Sequence, residues 1–267
     1  KEREMIRMNK TYCITDLHGQ YQLWKKIKSY IDATDTLYFL GDAIDRGPNG
    51  LKIMLELLEM PNVIYLKGNH ENFFVEGAVT SLNGFNPPLW VHSNGGYTTV
   101  EEIHNKWNKD NPADVTELSK IVEKVRNLPY KAEYINKKGQ KIRLSHSGYW
   151  DYLDANDNYC WDRKHILESW DYEDNSFIVH GHTPSCNVIQ KIYNNKALFA
   201  ETTQERGRII GEGQQLLADW NKEPFIYKYA NNHKIALDLG SFITNKIALF
   251  NLDTLTVETY FTGDNND

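Results

Sequence analysis

The chain has 267 residues, 40% hydrophobic and 25% charged, with a net charge of −6. That is long enough for a sizeable core and has the balance of a soluble globular protein. The acidity argues against a broad basic face for nucleic acid, and no apolar run approaches the ~20 residues of a membrane span.

Lys1-Glu2-Arg3-Glu4-Met5 is charged and has no apolar core, so no secretory signal is expected. Cys13, Cys160 and Cys186 are scattered and lack metal-site spacing. They predict reduced thiols and a cytoplasmic setting, with Cys13 a core residue of the first strand.

Thr11–Thr15 is β-prone and is followed by Asp16-Leu17-His18-Gly19 and then by a helical pattern carrying Leu23, Ile27 and Ile31. Thr36–Leu40 is a second such run, reading as a buried strand. It leads into Gly41-Asp42-Ala43-Ile44-Asp45-Arg46-Gly47 and a helix with Leu51, Met54, Leu55 and Leu58 on one face. Val63–Leu66 is a third strand, followed by Gly68-Asn69-His70-Glu71. The steps are 26 residues (16 to 42) and 27 residues (42 to 69), each the length of one βαβ unit. Three parallel strands would therefore bring Asp16, His18, Asp42 and Asn69 to one sheet edge, where open α/β sheets bind ligands. Asp42 emerges straight off its strand and can bridge metals. Asp45 and Arg46, on the turn, can reach what the metals hold. Mixed Asp, His and Asn donors suit Mn, Fe or Zn. Glu71 reads as a helix-start residue near the positive end of the dipole.

Residues 73–130 show no strand pattern. Asn83–Pro88 is loop. Helices are predicted near Thr99–Trp107 and over Pro112–Asn127, the latter with Val115, Leu118, Ile121, Val122 and Val125 as its apolar face. This segment reads as a helical cap inserted after the third strand. His92 within it has no companion ligand and reads as structural. Tyr130–Ile135 and Lys141–Leu144 form a hairpin around Asn136–Gln140, whose lysines solubilise the turn.

Asp16-x-His18-Gly19, Gly41-Asp42-x-x-Asp45-Arg46-Gly47 and Gly68-Asn69-His70-Glu71, in this order and spacing, resemble the calcineurin-like metallophosphoesterases. More narrowly they resemble the phosphoprotein phosphatase branch, which includes bacterial diadenosine tetraphosphatases. Thr15 stands where that branch usually has glycine. The run from Trp90 through Asn94-Gly95-Gly96 to Thr98-Thr99 is similar to the bacterial members. The resemblance implies an α/β fold, a two-sheet β-sandwich flanked by helices, as a single domain with the cap inserted.

It also implies two divalent metal ions, manganese first, with iron or zinc as alternatives. Asp16, His18 and Asp42 would take one metal. Asp42, Asn69, His146 and His182 would take the other, with Asp42 bridging. A hydroxide shared by the metals would attack phosphorus, and His70, oriented by Asp45, would protonate the leaving group. Arg46 and Arg163, the latter just after Trp161, would hold phosphate. Pro184 occupies the second position of the Gly-His-x-His found in wider relatives, which favours the phosphatase branch. His180, two residues before His182, shares its face by strand alternation and reads as structural or as supporting the site.

Val188–Tyr193, Ala197–Phe199, Ile235–Leu239, Lys246–Leu252 and Leu255–Tyr260 are short tail strands, expected in the second sheet. Asp238-Leu239-Gly240 reads as structural or supporting. Glu201–Asn232 is a polar loop or insertion, and Asp264–Asp267 is expected to fray. The function expected is hydrolysis of phosphomonoesters, foremost as a serine/threonine protein phosphatase acting on a phosphorylated protein or a small phosphoester. The alternatives are a dinucleoside tetraphosphate hydrolase, an RNA or cyclic-nucleotide phosphoesterase, and, from another class, an inactive phosphoprotein-binding scaffold.

Overall fold

Strand alternation decides which way each buried side chain faces, and here both faces of the central strands are apolar. In β1 (Thr11–Ile14), Tyr12 and Ile14 face a core under the helices, while Cys13 faces a second core. In β2 (Thr36–Phe39), Leu37 and Phe39 face the helices, while Tyr38, with Leu40 just beyond, faces the second core. Such two-sided burial marks a sheet covered on both faces. The computed structural model describes residues 9–149, 158–163, 165–167, 172–185, 188–191, 196–199 and 226–263. Cys186, Asp264–Asp267 and most of Glu201–Asn232 lie outside the described residues.

β1, β2 and β3 (Val63–Tyr65) are parallel neighbours. α1 (Tyr21–Tyr30) and α2 (Gly50–Glu59) connect them, burying Leu23, Trp24, Ile27, Ile53 and Met54 in the first core. After β3 come α3 (Asn69–Leu82), a π-helical turn over Leu89–Ser93, α4 (Tyr97–Lys106) and α5 (Pro112–Arg126). Asn111 caps α5, its side chain accepting the Ala113 N–H at 3.1 Å, and Pro112 takes the first turn where no donor is needed. These cap helices pack into the first core through Trp90, Ile103, Leu118 and Val125. His92 is exposed.

The second sheet runs β4 (Lys131–Ile135), β5 (Lys141–Ser145), β6 (Phe177–His180), β10 (Lys234–Ala236) and β9 (Tyr227–Tyr229). β5, β6 and β10 are parallel, with antiparallel neighbours outside. The second core, including Ile142, Leu144, Val179 and Ile235, lies between the two sheets.

The tail differs from expectation. Of the expected tail strands, only the one beginning near Ile235 enters the second sheet. β11 (Lys246–Asn251) and β12 (Thr256–Thr262) instead extend the first sheet, β11 pairing antiparallel with β1. β7 (Val188–Lys191) and β8 (Lys196–Phe199) form a separate antiparallel ribbon. The reason is visible in β11: Ile247 and Leu249 face the helices, while Phe250 and the following Leu252 face the other sheet, so this strand needs cover on both sides. Among the described residues no helix is long and apolar enough to cross a membrane.

Candidate metal centre

The loops that leave β1 and β2 are stitched together by their backbones, and so are those that leave β5 and β6. The Asp16 N–H donates to Gly41 O at 3.0 Å, the His18 N–H to Asp42 O at 3.0 Å and the Gly181 N–H to His146 O at 2.7 Å. Six of the ten residues expected at the site, Asp16, His18, Asp42, Asp45, Arg46 and His182, have left-handed φ between +43° and +69°. For residues with a Cβ each such conformation costs on the order of 1–3 kcal/mol and persists only where the surroundings impose it.

Asp42 is the meeting point. Its Oδ2 lies 3.6 Å from His18 Nε2, 3.7 Å from His70 Nε2 and 3.3 Å from His146 Nε2. Donor atoms of His18, Asp42 and His70 lie within 4.8 Å of one another, and so do those of Asp42, His146 and His182. Asp42 belongs to both groups. Asn69 Oδ1 sits 3.0 Å from both His146 Nε2 and His182 Nδ1. Asp16 is beside the first group, its Oδ1 3.8 Å from His18 Nε2. Its Oδ2 accepts the Thr15 hydroxyl and the His182 N–H. All of these side chains are buried.

The donor set fits a cation. His146 Nδ1 donates to Leu40 O at 2.8 Å, so Nε2 faces Asn69 Oδ1 and Asp42 Oδ2, both acceptors, and needs a proton or a metal ion there. Burial alone would push His146 down, yet the Asp42 and Asp16 carboxylates raise it to about 10. The field that holds a proton so tightly would equally hold a divalent metal. His182 Nε2 has no hydrogen-bond partner among the described residues. His18 Nδ1 donates to Ile44 O at 2.9 Å, fixing the tautomer that presents Nε2.

His70 Nδ1 is 2.6 Å from Asp45 Oδ2. Arg46 reaches His18 Nε2 at 2.7 Å and His70 Nε2 at 3.2 Å, with the Phe242 ring 4.6 Å from its guanidinium carbon. Arg163 is half-buried, and its charge helps burial and His146 to hold His182 well below its usual range. Nine of the ten expected residues thus meet at one rim, and Arg163 is near enough for its charge to act on His182. His180 does not join them. β6 ends there and His182 turns left-handed, so alternation fails to carry through; His180 Nε2 bonds Tyr229 Oη at 2.8 Å instead.

Several contributors were not legible beforehand. Glu71 is fully buried and accepts the backbone N–H groups of Asp42 (2.8 Å), Ala43 (2.9 Å) and Gly68 (2.8 Å), and the Tyr65 hydroxyl (2.7 Å). It ties two loops together rather than merely starting a helix; its position three residues into α3 was the only local signal. Ser241 likewise donates to the carbonyls of Asp16 and Leu17. Asp238, read from the sequence as structural or supporting, accepts the Gly240 N–H on Oδ1 at 2.7 Å, which steadies that turn.

Two mixed five-stranded sheets with helices outside and a carboxylate–imidazole rim at the strand ends define the class: a two-sheet αββα sandwich with a candidate metal centre. The chain belongs to the calcineurin-like phosphoesterase family, whose sequence profile matches residues 10–233. It is 30% identical over 142 residues to serine/threonine-protein phosphatase 2 of Escherichia coli (strain K12), covering 52% of this chain and 58% of that protein. The match therefore spans little more than half the length of that relative. It is 25% identical over 195 residues to an asymmetrical bis(5'-nucleosyl)-tetraphosphatase of Anoxybacillus flavithermus, covering 64% of this chain and 77% of that protein. A solved protein serine/threonine phosphatase from Saccharomyces cerevisiae superposes with TM-score 0.50 at 11% identity, over 99% of this chain and 83% of that one. At that identity the likeness speaks for the fold alone.

Proposed function

We propose that this metal-dependent phosphoester hydrolase acts on phosphomonoesters, foremost as a serine/threonine protein phosphatase. The observation that carries the reading is Asp42, shared by two imidazole groups and flanked by the Asp45–His70 pair. Asp16, His18 and Asp42 would hold one divalent cation, and Asp42, Asn69, His146 and His182 a second. Bound there, two cations supply charge neutralisation for the phosphoryl oxygens and acidify water. Manganese suits this donor set, with iron or zinc as alternatives.

The remaining steps belong to the chain. Arg46 and Arg163 grip phosphoryl oxygens with planar, permanently charged forks. His70 delivers a proton from Nε2 to the leaving alkoxide, and Asp45 holds its Nδ1. The buried thiols of Cys13 and Cys160, the latter donating to Lys67 O at 3.3 Å, fit a reducing, cytoplasmic setting.

A dinucleoside tetraphosphatase is the second reading. It is favoured by the relative of that activity whose match covers 77% of its length. Incubating the Mn²⁺-supplemented protein with a phosphoserine and phosphothreonine peptide panel, and separately with diadenosine tetraphosphate, distinguishes the two. Faster phosphate release from the peptides supports the first, and faster nucleotide release replaces it with the second. Hydrolysis of neither, nor of p-nitrophenyl phosphate, rejects both and leaves a binding scaffold.

A further inference from the structure

The cap reaches the proton-transfer pair directly. Trp90 and Thr99 are buried, 45 and 54 residues from Asp45 in sequence, yet they bond both of its carboxylate oxygens. The Trp90 indole N–H donates to Asp45 Oδ2 at 2.8 Å, the same oxygen that meets His70 Nδ1. The Thr99 hydroxyl donates to Oδ1 at 2.6 Å and accepts the Asp45 N–H at 3.0 Å. One residue on, the Arg46 N–H donates to Gly95 O at 2.9 Å.

These bonds hold an unfavourable backbone. Asp45 and Arg46 are consecutive left-handed residues, with φ of +69° and +68°. For residues with a Cβ this costs roughly 1–2 kcal/mol each, so the loop needs outside support to keep that shape. The cap is cut to give it. A Cβ on Gly96 would fall 2.4 Å from Trp90 Nε1, and one on Gly95, at φ +77°, 3.0 Å from Arg46 Cγ.

We propose that Trp90 and Thr99 are positioning residues that aim His70 at the leaving-group oxygen by locking the Asp45 carboxylate between them. With three donors on two oxygens the carboxylate cannot swing about its terminal torsion, and the imidazole hydrogen-bonded to it keeps one direction. The inference rests on the reading of His70 as proton donor. In that step water oxygen bonds to phosphorus, and the ester P–O bond breaks with its electron pair on the leaving oxygen. That oxygen takes the His70 Nε2 proton, and the proton lost by water restores it. The cap is therefore part of proton delivery as well as a cover for the first core.

The test separates positioning from packing. Trp90→Phe keeps the ring and removes the donor; Thr99→Val keeps the shape and removes the hydroxyl; Thr99→Ser restores it. Turnover is measured on a phosphoserine peptide, whose alkoxide needs a proton, and on p-nitrophenyl phosphate, whose nitrophenolate does not. Trp90→Phe and Thr99→Val are expected to lower kcat on the peptide by ~10–100-fold, with KM little changed and p-nitrophenyl phosphate turnover down only a few-fold. Thr99→Ser is expected to recover most of the loss. Independently of turnover, the low-field proton signal of His70 Nδ1–H, assigned by its absence in His70→Asn, is followed in the metal-free full chain. It is expected to move or vanish in Trp90→Phe. Equal losses on both substrates with an unmoved proton signal overturn the inference. If the unsubstituted protein hydrolyses neither substrate, the functional reading falls, and the proton signal alone decides whether the cap positions the pair.

Discussion

His18 and His146 lie 3.6 and 3.3 Å from the same Asp42 oxygen, both fully buried. Burial opposes the charged form of both. Around His146 the Asp42 and Asp16 carboxylates overcome it and raise the imidazole to about 10. Around His18, Arg46 and His70 add like charge, and the imidazole stays well below its ordinary range. One side of Asp42 is thus an electron-rich pit that calls for a cation. The other already has a guanidinium 2.7 Å from His18 Nε2, and it is the side joined to the Asp45–His70 pair and, through Trp90, to the cap. The difference lies in the field each imidazole meets: carboxylates dominate around His146, while Arg46 and His70 add like charge around His18, the side where the proposed reaction would place the phosphoryl group.

The severest way to break this comparison is to remove what both sides share. Asp42→Asn is expected to empty both positions and lower phosphate release at least ~10⁴-fold, since each cation is worth several kcal/mol in the transition state. Elemental analysis alongside turnover checks it, and retention of two metals with normal activity would refute the bridging role. His70→Asn strikes the His18 side alone. Turnover should fall ~10²–10⁴-fold with metal content near normal. Loss of metal in this variant would make His70 a ligand, as its place in the group with His18 and Asp42 permits.

The His146 side can be probed by pH. Folded His146 binds its proton more tightly than the ordinary value of 6.5. The stability it confers is therefore complete below about 6.5 and is lost as pH rises toward about 10. The metal-free protein should show a falling Tm across that window, and saturating Zn²⁺ should flatten the slope by taking the proton's place. A Tm that rises over the same range would contradict the pit at His146. The smallest effect is expected from Glu71→Gln, which spoils one of the buried acceptor oxygens holding Asp42 and Gly68. Roughly 2 kcal/mol should go, lowering Tm by roughly 4–8 °C in calorimetry.

The loops that carry Asp16, Asp42 and Asn69 could be read in advance because the signals are local: a β-prone run, a glycine, a carboxylate or amide, then a helical period. The helices of the cap were legible for the same reason, α5 to within a residue. What escaped depends on partners distant in sequence. Glu71 acts on Asp42 across 29 residues, and Trp90 and Thr99 act on Asp45 across 45 and 54. β11 was expected in the wrong sheet because pairing is decided by what covers both its faces, although its nearly unbroken run Ile247-Ala248-Leu249-Phe250 carried the hint. His180 was read as structural or supporting, and its bond to Tyr229 agrees; only its facing with His182 failed, because alternation holds only while the strand lasts and β6 stops there.

In the proposed reaction Asp42 organises two cations, and both are needed for hydrolysis. This requirement is tested most directly by titrating the metal-free chain with Mn²⁺ while counting bound metal and following p-nitrophenyl phosphate cleavage. Two ions per chain are expected, the first entering the His146 side with little activity and the second bringing turnover. Full turnover at one ion per chain, or turnover with none, would contradict it.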